Sequence, residues 1–169
     1  MSKTPKGPPD WYRLDNAGVL YSALQREKYS PVYRFSAVLS QPVDPAVLQR
    51  AVDRTMPRFP GFRVRMKPGV FWHYFEPNDS PGPFVRPDMS NPCQPIRFRE
   101  DNGWLVRFFY YQSRISLEVF HAVSDGAGAL TFFRTLLAVY LRERGHAIPN
   151  TGEVLDITQP PPAEEGEDA

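Results

Sequence analysis

The chain has 169 residues and a net charge of +1 at pH 7, with 41% hydrophobic and 14% aromatic residues. This length and composition favour one domain with a hydrophobic core and exclude an intrinsically disordered protein. The single cysteine, Cys93, excludes an internal disulfide and a zinc site made of cysteines alone. The first ten residues lack the apolar segment of a signal peptide, and no apolar run approaches the roughly 18 residues that span a bilayer. We therefore expect a cytoplasmic protein with no metal and no membrane segment.

Charge is unevenly distributed along the chain. Six acidic residues and no Lys or Arg are found from Glu153 onward, so residues 1–152 hold 20 basic and 13 acidic residues, a net charge of +7. This net positive charge would attract a phosphate-bearing ligand or an acidic partner. The simpler alternative is that the charged side chains are only solvated and bind no partner. The basic residues form no run, so we expect no nucleic-acid binding.

The first half of the chain is predicted to form a strand, a helix and a hairpin after a disordered lead-in at residues 1–10. Residues 31–43 have one face that is apolar throughout, which predicts a strand. Asp44 and Pro45 are typical of a helix start, and apolar residues continue at helical spacing to Met56. Two strands, 62–66 and 70–75, are predicted around the turn Lys67-Pro68-Gly69.

The second half begins with a proline-rich segment. Six prolines between Pro77 and Pro95 exclude a central strand or helix, and we expect an irregular excursion with a short edge strand at 84–86. Strands are predicted at 104–112 and 114–122, followed by a helix over 126–144. Residues 148–169 are acidic and rich in proline, as in a linker or tail. This element order predicts an α/β (α+β) two-layer sandwich, in which helices cover one face of a mixed, mostly antiparallel sheet.

One turn stands out chemically. His121 ends the last predicted strand, and Asp125 and Gly126 follow at the start of the last helix. A strand end holds the backbone rigidly, and neutral imidazole accepts a proton from a hydroxyl or an amine. Asp125 either orients the imidazole or pairs with an arginine to lock the turn. The alternative is a histidine that only packs, beside ordinary Asp-Gly turn chemistry.

The spacing His121-x-x-x-Asp125-Gly126, between a strand and an amphipathic helix, resembles the H-x-x-x-D-G motif of the chloramphenicol-acetyltransferase-like superfamily. This superfamily includes the condensation domains of peptide synthetases and alcohol acetyltransferases. The surrounding segments appear in the order associated with bacterial alcohol-acetyltransferase-like proteins, and they are WYRLDNAG (11–18), 32–66, FWHYF (71–75) and 117–141. The resemblance covers residues 11 to about 160.

The resemblance implies roles for individual residues. His121 is then the general base, Asp125 organises the turn by pairing with an arginine, and Gly126 leaves room where the substrates meet. The motif does not fix the arginine, for which Arg13 and Arg34 are the candidates. Many relatives read H-H-x-x-x-D-G, and this chain has Phe120 in place of the first histidine. The resemblance implies acyl-CoA or another acyl thioester as cosubstrate and no covalently bound cofactor.

The length of the chain corresponds to one half of a monomeric superfamily member, whose active-site tunnel runs between two halves. Residues 11–147 are therefore interpreted as an N-terminal acyltransferase half-domain. Its predicted function is acyl transfer from a thioester to an alcohol or amine, with a second half or self-association completing the site. The alternative is a non-catalytic module of the same fold that binds a carrier protein or another partner.

Overall fold

The computed structural model describes residues 12–13, 31–69 and 73–160, with Tyr12 and Arg13 described by their backbone only. These residues form seven strands and two α-helices. The strands are β1 (Tyr12–Arg13), β2 (Val32–Val38), β3 (Val64–Pro68), β4 (His73–Pro77), β5 (Val85–Pro87), β6 (Val106–Tyr111) and β7 (Arg114–Phe120). The helices are α1 (Pro45–Thr55) and α2 (Gly126–Glu143). The predicted lead-in at 1–10 lies outside the described residues, as do 70–72 of the predicted hairpin.

The strands belong to two sheets. A four-stranded sheet has the order β2-β7-β6-β5, and its pairs are antiparallel except for the parallel pair of β5 and β6. A three-stranded antiparallel sheet has the order β1-β4-β3. The predicted α+β class with a mixed, mostly antiparallel arrangement is confirmed, but the strands do not form one continuous sheet. Short 3-10 turns, over Met56–Arg58 and Pro60–Phe62, separate α1 from the hairpin of β3 and β4, and β4 of this hairpin pairs with β1.

One face of the four-stranded sheet carries the hydrophobic core. Phe35 of β2 stacks on Phe133 of α2 at 6.3 Å between ring centroids, and Phe108 of β6 lies 5.9 Å from Phe132. Leu117 on the central strand β7 is fully buried. The apolar alternation predicted for β2 therefore marks the face that the helices cover.

Segment 144–160 contains no helix or strand, but several of its residues contact α2 or the core. The Nε of Arg142 donates to the carbonyl of Ile148 at 2.7 Å, and the amide of Leu155 donates to the Thr135 hydroxyl at 3.1 Å. Ile157 packs against the core. The interpretation of 148–169 as a linker or tail stays a prediction, and residues 161–169 lie outside the described part.

The opposite face of the same sheet carries a buried ion cluster. Glu118 of β7 is fully buried, and its Oε1 accepts from the Nε of Arg34 at 3.0 Å. Arg107 of β6 lies 2.8 Å from the other carboxylate oxygen. Asp88 binds both terminal nitrogens of Arg34 in a bidentate pair, at 3.0 and 2.7 Å. We call Arg34, Asp88, Arg107, Arg114 and Glu118 the ion cluster.

The ion cluster holds the proline-rich excursion against the sheet. The backbone amide of Cys93 donates to Glu118 at 2.7 Å, and the guanidinium of Arg114 binds Asp88 at 2.9 Å. Asp88 and Cys93 both lie in the segment between β5 and β6. An irregular segment is thus fixed by charged hydrogen bonds, which are shorter and stronger than neutral ones.

We expect Glu118→Ala to lower the free energy of unfolding by about 3–5 kcal/mol, because it removes the fully buried carboxylate that the half-buried Arg34 and Arg107 share and leaves Arg34 with Asp88 alone. Urea denaturation monitored by tryptophan fluorescence measures the loss. Glu100→Ala is the control, since Glu100 forms an exposed pair with Arg97 at 3.1 Å and such pairs contribute about 1 kcal/mol or less. Equal effects of the two substitutions would show that the ion cluster adds no more than a surface pair.

Candidate functional site

His121 lies directly after the last residue of β7, in the turn that leads into α2. Its backbone amide donates to the carbonyl of Pro31 at 2.8 Å, which ties the strand end to the start of β2. The imidazole is half-buried, and its ring meets the ring of Tyr33 edge-on at 5.1 Å between centroids. The histidine is therefore positioned by two neighbouring strands, while part of it remains accessible to solvent.

Tyr33 fixes the turn that follows His121. Its hydroxyl lies 2.8 Å from the carbonyl oxygen of Ser124 and 2.8 Å from that of Asp125, and the two acceptors share its one proton. Burial, followed by the nearby charge of Asp125, raises the pKa of Tyr33 well above its ordinary value. The hydroxyl consequently keeps its proton at neutral pH and remains a donor.

Asp125 starts α2. Its side chain accepts from the amide of Gly128 at 2.7 Å, and its carbonyl accepts from Ala129 at 3.1 Å. This is N-cap geometry, in which a carboxylate satisfies an amide that the first helical turn leaves without a partner. Asp125 thus shapes the turn through the helix backbone, and its side chain is directed to the cap.

The two glycines of the turn have different local constraints. A Cβ on Gly128 would lie 2.5 Å from the Ser124 hydroxyl oxygen and 3.3 Å from the Asp125 carboxylate, so a side chain there would crowd the cap. A Cβ on Gly126 would meet nothing within 4 Å in the described part of the chain. Gly126 therefore borders open space, and its implied role where the substrates meet stays a prediction, whereas a side chain on Gly128 would displace the Ser124 hydroxyl.

Arg34 does not lie beside Asp125. Side chains alternate between the two faces of a strand, so Tyr33 is directed to the turn and Arg34 to the opposite face. There Arg34 binds Asp88 and Glu118, at 2.7 and 2.9 Å. The predicted pairing of Arg34 with Asp125 is thereby replaced by the ion cluster. Arg13 belongs to β1, but its side chain lies outside the described residues, so that candidate stays a prediction.

Phe120 occupies the position of the first histidine in the longer motif. It is fully buried, and its ring meets Phe98 edge-on at 5.3 Å. Its side chain shares the face of β7 that carries Glu118, since the two residues are separated by one position. A phenylalanine here extends the packing of the sheet, while His121 lies beyond the strand.

Sequence reasoning missed Tyr33, whose hydroxyl holds the turn after His121. The polar hydroxyl on an otherwise apolar face was the one signal for Tyr33, because a buried tyrosine hydroxyl needs an acceptor. Nothing in the sequence pointed to the acceptors in a turn more than ninety residues away.

Comparison with solved structures supports the fold. The starter condensation domain of rhizomide synthetase RzmA superposes with a TM-score of 0.62 at 17% identity, over 84% of this chain and 40% of that chain. The X-domain from teicoplanin biosynthesis superposes with a TM-score of 0.65 at 18% identity, over 89% of this chain and 37% of that chain. The first condensation domain of the calcium-dependent antibiotic synthetase, in complex with a substrate analogue, superposes with a TM-score of 0.57 at 22% identity. The alignment covers 84% of this chain and 40% of that chain.

These similarities define the class of fold. The chain has the condensation-domain-like fold, which is the chloramphenicol-acetyltransferase-like fold that the H-x-x-x-D-G resemblance predicted. The chain spans about 40% of the length of these structures. No protein-family model and no curated protein matches the sequence.

Two further properties concern the described residues alone. Within 12–13, 31–69 and 73–160, no group of His, Cys, Asp and Glu side chains is arranged to hold a metal ion. In the same ranges, no helix combines the length and the apolar character that crossing a membrane requires.

We expect Tyr33→Phe to loosen the His121 turn. Removing the hydroxyl takes a donor from the Ser124 carbonyl and leaves the Asp125 carbonyl with the Ala129 amide and the Ser124 hydroxyl, which lowers the free energy of unfolding by about 1 kcal/mol. Hydrogen–deuterium exchange of the peptide covering 121–130 should become faster. Tyr110→Phe is the matched control, since the Tyr110 hydroxyl has no hydrogen-bond partner in the described part of the chain. Identical exchange in the two variants would contradict the role of Tyr33.

We expect the ion cluster to lose its stabilising effect at acidic pH. Burial acts to raise the pKa of Asp88, but hydrogen bonds from Arg34 and Arg114 outweigh it and hold the pKa below its usual 3.8. The contribution of the carboxylate is therefore complete above the unfolded pKa and is lost as the pH falls through the lower folded pKa. Urea unfolding of the wild type and Asp88→Asn, from pH 7 to about pH 3, should show a stability difference that shrinks only at the acidic end. A constant difference would contradict an ionised Asp88.

Proposed function

We propose that this chain carries the general base of an acyltransferase site, and that His121 is this base. The observation that supports the proposal is a half-buried imidazole at the end of a central strand, beside a turn fixed by Tyr33 and Asp125. A fixed base is effective because proton transfer depends on its distance to the reacting hydroxyl or amine. The condensation-domain-like fold is consistent with acyl-transfer chemistry, although a fold alone does not define an activity.

The proposed reaction is direct transfer between two bound substrates. Neutral His121 takes the proton of the acceptor alcohol or amine while the acceptor oxygen or nitrogen attacks the thioester carbonyl. The carbon–sulfur bond then breaks, and the imidazolium returns its proton to the departing thiolate. The products are an ester or amide and a free thiol, and no acyl-enzyme is formed. Asp125 keeps the turn in place, and the open space at Gly126 accommodates the substrates.

The proposed acyl donor is a coenzyme A thioester or the thioester of an acyl carrier. A structure of the RzmA starter condensation domain in complex with C8-CoA resembles this chain with a TM-score of 0.59 at 19% identity, over 77% of this chain and 35% of that chain. We propose no covalently bound cofactor, because the transfer needs only the imidazole and the two substrates.

We further propose that the site is completed by a second half or by another copy of this chain. The chain spans about 40% of the condensation domains it resembles. The His121 turn would then form one wall of the site, and the completing half would supply the other.

A second candidate function is a binding module without catalysis. The X-domain from teicoplanin biosynthesis, in a complex with the protein OxyB, resembles this chain with a TM-score of 0.66 at 15% identity, over 90% of this chain and 38% of that chain. In this alternative the chain binds a protein partner, such as an acyl carrier protein, and His121 has no chemical role.

We expect His121→Ala to lower thiol release from an acyl-CoA by about 10²- to 10⁴-fold, the usual contribution of a general base. The assay uses acetyl- and octanoyl-CoA with a panel of alcohols and amines, and a colour reagent for thiols detects free CoA. Reactions without acceptor correct for Cys93, the one thiol of the chain. His146→Ala is the matched control, because His146 is exposed beyond the end of α2.

The outcomes separate the two candidate functions. Turnover that is lost in His121→Ala and retained in His146→Ala supports the acyltransferase. Equal turnover in both variants would contradict His121 as the base. Equal binding of a phosphopantetheinylated acyl carrier protein by wild type and His121→Ala, with no turnover of any acceptor, would favour the binding module.

A further inference from the structure

A basic cleft of about 890 Å³ lies between the three-stranded sheet and the turn that precedes β6. One wall is formed by β3 and β4, and the other by residues 97–103. None of its lining residues belongs to the His121 turn. A volume of this size lies in the range of small-molecule sites. We call this feature the basic cleft.

The strand register brings two cations to the first wall. Arg65 is opposite Glu76, and Lys67 is opposite Tyr74, so these four side chains share one face of the hairpin. The Nε of Arg65 binds Glu76 at 2.5 Å, and the Nζ of Lys67 lies 3.6 Å from the same carboxylate. One carboxylate thus serves two cations, both of which remain more than a third exposed.

Close contacts hold the second wall against the first. A Cβ on Gly103, whose φ is +77°, would lie 3.3 Å from the Cβ of Arg65, so this approach requires a glycine. Asn78 is buried, and its side chain donates to the carbonyl of Asn102 at 3.1 Å. The cleft is therefore a fixed feature of the fold.

Positive charge dominates the lining. The described lining contains four cationic side chains and the carboxylate of Glu100, which Arg97 binds at 3.1 Å, while Glu76 at the side of the cleft pairs with two of the other cations. Arg99 is exposed and has no carboxylate partner in the described part of the chain.

The cleft also has an aromatic floor. Phe98 lies 6.2 Å from the ring of His73 and packs edge-on against Phe120 at 5.3 Å, and Tyr74 lines the same space. Cations at the rim bind a multiply charged anion, while the aromatic rings accept an apolar or planar group.

We infer that the basic cleft binds a small molecule through two or more phosphate groups. Lys and Arg together supply donors for phosphate oxygens, and the unneutralised Arg99 and the shared pairing of Lys67 leave charge available for a ligand. Diphosphates alone and the nucleotide end of a coenzyme share this chemistry. The site is separate from the His121 turn and does not depend on the acyltransferase proposal.

The first test is calorimetric titration of the full chain with pyrophosphate, adenosine 3′,5′-bisphosphate and coenzyme A at low salt. We expect all three probes to bind, and the Kd of pyrophosphate to rise about tenfold or more in Lys67→Gln/Arg99→Gln. Raising the ionic strength should weaken binding further, because exposed charges are screened. Tighter binding of the two nucleotides than of pyrophosphate would show that the ligand is the nucleotide end of a coenzyme. Equal binding would show that the cleft recognises only the phosphate groups.

Two further variants sharpen the test. Glu100→Gln removes a carboxylate from the lining, so it should tighten pyrophosphate binding. Arg54→Gln/Arg134→Gln is the control for total charge, since it also removes two positive charges and neither residue lines the cleft: Arg54 lies on α1 and pairs with Glu143, and Arg134 lies on α2 and pairs with Glu153. His121→Ala should bind like the wild type, which keeps this result distinct from that of the acyltransferase assay. No binding of pyrophosphate at millimolar concentration, or equal loss in Arg54→Gln/Arg134→Gln and Lys67→Gln/Arg99→Gln, would overturn the inference.

Discussion

The antiparallel register of β2 and β7 is the constraint on which the rest of this structure depends. Val32 is opposite Phe120, which places Tyr33 next to the end of β7 and directs its hydroxyl at the turn beyond. The same register places Arg34 opposite Glu118 on the other face. A slip of one residue would exchange the two faces of the strand. The Tyr33 hydroxyl would then no longer reach the turn after His121, and Arg34 would point into the apolar core.

The two faces of this sheet are stabilised by different interactions. The face toward α1 and α2 is closed by aliphatic and aromatic packing, and the opposite face by a fully buried carboxylate between two arginines. A buried charge needs an opposite charge beside it, which Arg34 and Arg107 supply to Glu118, and Asp88, in the excursion between β5 and β6, binds Arg34 in turn. The irregular segment is thus held in one position although it has few backbone hydrogen bonds of its own.

The His121 turn combines a rigid frame with local openness. Its backbone is fixed by Pro31, by the Tyr33 hydroxyl and by the Asp125 cap, while Gly126 leaves free space. Sites that position a base require such a frame, because small displacements of a proton acceptor lower its effectiveness. The basic cleft lies outside this turn, yet the two are linked by packing, since Phe98 lines the cleft and contacts Phe120, the residue before His121.

The sequence by itself determined the order and type of the elements, the class of fold and the location of the His121 turn. Alternation, the Asp44-Pro45 helix start and the proline clusters are local signals, and α1, β5 and the last hairpin and helix follow them closely, whereas β2 ends at Val38, before the predicted end at residue 43. Only the tertiary structure decided that the strands divide into two sheets, that Arg34 binds Asp88 and Glu118 in place of Asp125, and that Tyr33 clamps the turn. These contacts join residues 54 to 92 positions apart, and local periodicity carries no information about which distant groups meet.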